Sequence, residues 1–140
     1  MGWLIVSFTA LCMASCGAGG GPTVPRNVSL GEPFDLGAAQ MAAVGDTGLT
    51  ITFDRVAADS RCPVDVQCIW EGDATVLVTA ARPGRDPARL ELHTTSSGGG
   101  GPREARYGEF LVALTGLGPQ PHSETPIEPR AYRATLRVTR

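Results

Sequence analysis

The stretch Tyr132-Arg133-Ala134-Thr135-Leu136-Arg137-Val138-Thr139 decides the fold class. Tyr132, Ala134, Leu136 and Val138 alternate without a break with Arg133, Thr135, Arg137 and Thr139. A period of two puts the two sets on opposite faces, so the stretch predicts a strand with one buried and one wet face. A helix would need the apolar residues three and four apart.

The same period recurs toward the N-terminus. Phe110, Val112 and Leu114 alternate, as do Leu90, Leu92 and Thr94 across Glu91 and His93. Ala74, Val76, Val78 and Ala80 alternate with Thr75, Leu77 and Thr79. Leu49, Ile51 and Phe53 alternate with Thr50, Thr52 and Asp54, and then Val56 falls out of step. That slip predicts a bulge or the strand's end near Asp54-Arg55. Residues 34–44 read as one or two short strands broken at Gly37. Residues 82–87 read as a turn, and Ser96 to Pro102, with four consecutive glycines, as a mobile loop.

No window sustains helical spacing, and 18 Gly and 11 Pro favour many turns. The expectation is an all-β domain over residues 30–140: an antiparallel β-sandwich, Ig-like, of six or seven short strands. The few aromatic residues leave a thin core of Val, Leu, Ile and Ala, which a covalent staple would help. His93 falls on the outward phase of its strand and is expected to face solvent.

Formal net charge is −2, and all twelve basic residues are Arg, with no basic cluster. Phosphate backbones need concentrated positive charge, so nucleic acid is excluded as the expected partner. Without Lys there is no Schiff-base chemistry. No Gly-x-Ser-x-Gly elbow accompanies His93 or His122, and Gly98 to Gly101 lacks the Gly-Lys-Ser/Thr ending of a phosphate loop. Neither an enzyme nor a cofactor is expected.

Residues Trp3 to Ala14 are apolar except for Ser7 and Thr9. A run of this length suits a signal-peptide core and falls short of the roughly 20 residues that span a bilayer. It ends in Met13-Ala14-Ser15-Cys16, which resembles the lipobox of bacterial lipoproteins. The resemblance implies cleavage before Cys16 and acylation of its thiol. Met13 stands where Leu is commoner, and no Lys or Arg precedes the apolar run. Residues 1–15 are therefore expected to be a lipoprotein signal peptide and 16–29 a lipidated flexible tether. Membrane lipid becomes the first partner, through Cys16, and the location is extracytoplasmic. Gly17 after the cysteine resembles lipoproteins sorted to the outer membrane, if the cell is Gram-negative.

Cys62 and Cys68 then remain as an even pair in an oxidising compartment and are expected to form a disulfide. A metal site on both thiolates plus His93 or His122 is the alternative, but the five-residue gap is wrong for structural zinc. Five acids lie between residues 54 and 73, without EF-hand spacing, and read as turn caps and a solvated rim. Among them, Asp59 can accept backbone N–H bonds in a turn and can also pair with Arg61. The run Asp59-Ser60-Arg61-Cys62-Pro63, followed by Cys68-Ile69-Trp70-Glu71-Gly72, resembles a motif of small uncharacterised bacterial lipoproteins. That resemblance implies an envelope lipoprotein with a β-sandwich and carries no activity with it.

The expected function is a non-catalytic binding or structural module of the envelope, with an envelope protein as a second candidate partner. The alternatives are an inhibitor of an extracytoplasmic protease or lysozyme, and a metal-handling lipoprotein using Met41, His93 and His122. The candidate recognition loop comprises Asp59, Arg61, Asp65, Trp70 and Glu71, with Arg61 and Asp65 expected to be free for polar contacts. The competing expectation is a brace, with Trp70 buried in the core.

Overall fold

The structure, a computed structural model, describes residues 24–140. The proposed signal peptide, Cys16 and most of the proposed tether lie outside the described residues.

Among the described residues nine strands form: β1 (Arg26–Val28), β2 (Pro33–Gly37), β3 (Met41–Val44), β4 (Leu49–Asp59), β5 (Ala74–Arg82), β6 (Arg85–His93), β7 (Glu104–Tyr107), β8 (Phe110–Gly118) and β9 (Arg133–Thr139). A 3₁₀ turn, Pro129–Ala131, precedes β9. The fold is all-β, with more strands than the six or seven expected. The extra ones are β1 and β7, of three and four residues, too short to display a period, while the two-strand reading of residues 34–44, broken at Gly37, corresponds to β2 and β3.

One sheet has the order β1-β3-β4-β5-β6 and the other β2-β9-β8-β7. Every pairing is antiparallel except β1 with β3, which is parallel. β1 lies within the stretch 16–29 read as tether and ties its last residues to the sheet edge. Val28 is its one half-buried side chain, which is why no apolar pattern announced it.

Alternation becomes burial. Ala134, Leu136 and Val138 of β9 meet Leu49, Ile51 and Phe53 of β4 and Val76 and Val78 of β5 in one core shared by both sheets. The slip at Val56 is a bulge between Phe53 and Arg55, and β4 continues past it, through a second bulge, to Asp59. β5 and β6 are joined by Pro83-Gly84, where Gly84 supplies the positive φ of +78° that a tight turn needs. Pro87 belongs to β6 rather than to the turn. Proline costs no ladder bond on an edge strand, and β6 is one.

β4, β6 and β8 all finish at the same end of the molecule. Three long connections therefore gather there: residues 60–73, 94–103 and 119–132.

Candidate functional site

The 60–73 connection starts from Asp59, the last residue of the longest strand. Asp59 accepts from the backbone N–H of Arg61 at 3.2 Å and clasps its guanidinium at both oxygens, 2.8 Å from Nε and 2.7 Å from Nη2. The same guanidinium donates to the carbonyls of Leu117 (2.7 Å) and Pro119 (2.9 Å), at and beyond the end of β8 in the other sheet. Tyr132 donates its hydroxyl to Asp59 at 3.0 Å. Burial pushes the Asp59 carboxyl up, but the Arg61 and Tyr132 bonds outweigh it and leave it below the usual 3.8. Burial, with Asp59 beside it, pushes the Tyr132 phenol up.

Arg61 and Asp59 are 9% and 11% exposed at their side chains, which overturns the expectation of a free Arg61. A planar, forked guanidinium makes this possible, since one side chain closes a bidentate pair and still caps two carbonyls of the facing sheet. The Asp59–Arg61 pairing is legible in the sequence as an option. Leu117, Pro119 and Tyr132 are not, because nothing in their spacing reports a contact across sheets.

Beyond Arg61 the loop is closed by a disulfide, Cys62–Cys68, with a Cα–Cα separation of 5.9 Å. Backbone bonds seal its neck: Ser60 N to the Asp73 carbonyl at 2.7 Å and Cys62 N to the Glu71 carbonyl at 2.9 Å. Gly72, at φ +73°, fits this neck because a Cβ there would strike the Ser60 carbonyl. Asp65 is also committed, against expectation. It accepts from Ser123 N at 2.9 Å and Ser123 Oγ at 2.6 Å, while Val64 N donates to the Pro121 carbonyl at 3.0 Å. The Ser123 bonds hold the Asp65 carboxyl below its ordinary range. The loop is thus pinned to the 119–132 connection as well.

Its large apolar side chains do not bury. Ile69 is 93% exposed, Trp70 74%, Val64 58% and Val66 46%. Trp70 is therefore no core brace. It flanks a recess shared with Ile69, Asp73, His93, Ser97 and Gly98. Glu71 is exposed beside it. Ile69 was missed in the sequence, where one isoleucine between Cys68 and Trp70 carries no period.

His93 differs from expectation too. Its ring is 13% exposed, with Nδ1 2.5 Å from Asp73 and Nε2 3.2 Å from Glu91. The glycine run folds over it, since a Cβ on Gly101 would strike the imidazole. Asp73 accepts in addition from Thr94 N, Thr94 Oγ1 and Thr95 N. The Asp73 bond, assisted by Glu91 and opposed by burial, holds His93 above 6.5. Burial raises Asp73, but its His93 and threonine bonds outweigh that and leave it below 3.8. Strand phase put His93 outward correctly; what phase cannot report is a later loop covering the outward face.

Chemically, this end offers a fixed apolar tip with an acidic rim. Among the described residues, no group of three or more His, Cys, Asp or Glu side chains is placed to hold a metal ion. Ser60 and Ser123 are engaged as structural bonds to Asp73 and Asp65. Comparison of the chain with protein-family models, curated proteins and solved structures finds no match.

Proposed function

We propose that this chain is a lipid-anchored cell-envelope protein whose domain is a non-catalytic binding module on an Ig-like β-sandwich scaffold. Its recognition surface is the disulfide-loop end. The observation that carries the reading is the exposure of Val64, Val66, Ile69 and Trp70 together on one loop held by a disulfide, Arg61 and Asp65. Apolar side chains exposed as a group mark interaction sites. A loop already fixed loses little entropy on binding, which favours affinity. Inhibition of an extracytoplasmic protease or lysozyme is the second reading, favoured by the same pinned, exposed loop.

Hydroxyl-radical footprinting of the full chain tests the proposal. Trp70 should be several-fold less oxidised in intact envelope than in purified protein, with half-buried Met41 on β3 as the internal control. Equal oxidation of Trp70 in both would contradict the proposal.

A further inference from the structure

The loop's chemistry narrows the partner. Arg61, the one guanidinium within the loop, is spent on Asp59, Leu117 and Pro119. What remains outward is apolar, with carboxylates at Asp65 and Glu71 on the rim. An acidic rim disfavours an anionic surface. Trp with branched aliphatic neighbours is the side-chain set that partitions to the boundary between headgroups and acyl chains.

Chain direction points the same way. β3 runs antiparallel to β4, with Met41 opposite Thr52 and Val44 opposite Leu49. β1 runs parallel to β3, with Arg26 opposite Ala42 and Val28 opposite Val44. Traced backward from Arg26, the chain therefore heads toward the end of the sheet where Asp59 leads into the disulfide loop. From Thr52 to Asp59 is seven strand steps, about 23 Å. Eight residue steps separate Cys16 from Val24, and such a stretch spans up to about 28 Å. An anchor at Cys16 can thus lie level with the loop tip. The opposite end carries Arg82 and Arg140 over Phe110, at 5.5 and 5.2 Å, and Arg85 over Tyr107 at 5.5 Å. The apolar tip and the entering chain share one end, and the aromatic-stacked Arg82, Arg85 and Arg140 lie at the other.

We propose that Val64, Val66, Ile69 and Trp70 seat the disulfide loop in the interfacial zone of a zwitterionic phospholipid surface, beside the membrane in which Cys16 is anchored. The inference rests on the loop end being the recognition surface and on acylation of Cys16. It gives the tip a role as a second contact that orients the domain, since a flexible tether alone fixes position without orientation.

The test uses the lipid-anchored chain expressed with Trp3→Phe, so that Trp70 is the one tryptophan whether or not residues 1–15 have been removed. The chain is reconstituted with dioleoylphosphatidylcholine vesicles, with and without the brominated lipid. Trp70 emission should shift to the blue and be quenched by bromine. Ile69→Asp, at an almost fully solvated position, should lower partitioning of the tip roughly tenfold to a hundredfold and abolish the quenching. Unquenched Trp70 emission, whether or not the chain sediments with vesicles, overturns the lipid contact. A diazirine side chain in place of Ile69, photolysed in intact envelope, separates the lipid contact from the broader recognition surface. A phospholipid adduct supports the inference. A protein adduct without lipid overturns it and leaves the loop as a recognition surface. No adduct of either kind overturns both.

Discussion

Arg61 is where a single residue does most for this end of the molecule. Its charge is buried against Asp59, and its other donors reach carbonyls of the facing sheet. Removing one partner of a buried pair leaves the other uncompensated, which typically costs about 3–5 kcal/mol. Arg61→Ala should therefore lower the melting temperature markedly, contrary to the neutral effect its place in the sequence suggests. Arg61→Lys should rescue little, because an ammonium cannot reproduce the bidentate clasp. Thermal denaturation of both variants measures this. Trp70 is the counterexample, since its exposure makes Trp70→Ala a change of surface and not of core.

His93 and Asp73 give a second residue-level signature. His93 is raised above 6.5, so its contribution is fully present below pH 6.5 and is lost as pH rises through the higher folded value. Asp73 is lowered below 3.8, so its contribution is present above pH 3.8 and is lost as pH falls through the lower folded value. The melting-temperature gap between the natural chain and His93→Gln should be widest between pH 3.8 and 6.5 and should narrow above that window. A gap independent of pH would mean that the charged pair contributes nothing.

At the scale of elements, the long strands were legible because their burial alternates. β4, β5, β6, β8 and β9 each repeat apolar residues every second position, and the bulge at Asp54-Arg55 showed as a slip of phase. β1 and β7 were not legible, being no longer than two full periods of the pattern, whereas the break at Gly37 allowed β3 to be read apart from β2. The disulfide was legible from the cysteine count and the compartment expected from the N-terminal run, while the loop's other fastenings were not. Asp65 finds Ser123 across 58 residues, a contact that no local pattern encodes. Those fastenings limit what the bridge adds. Closing a seven-residue ring contributes about 2.4 kcal/mol in the chain-entropy model. Bonds at Cys62, Val64 and Asp65 hold the same loop independently. Cys62→Ser/Cys68→Ser should therefore melt at a lower temperature by no more than that amount implies. Its loop amides should exchange faster, while those of β4, β5 and β9 keep their protection. Loss of the whole fold on reduction would contradict this division.

At the scale of the molecule, two sheets around one core carry unlike ends. One presents an apolar tip and an acidic rim, the other arginines stacked on Phe110 and Tyr107. The apolar N-terminal run and its Met13-Ala14-Ser15-Cys16 ending supply a reason for such polarity, a proposed membrane on one side. Cys16→Ala should leave the precursor uncleaved and free of lipid label; labelling that persists would move or remove the anchor. Everything proposed for this domain depends on the disulfide-loop end being the surface it uses. Amide hydrogen exchange of the full chain, compared between intact envelope and the purified state, measures that dependence without altering a residue. Slowed exchange should be confined to residues 62–72 and the adjoining 121–125 segment, with the turns at 83–86 and 108–109 unchanged. Protection that falls on those turns instead, or on neither end, would contradict the assignment of the loop as the working surface.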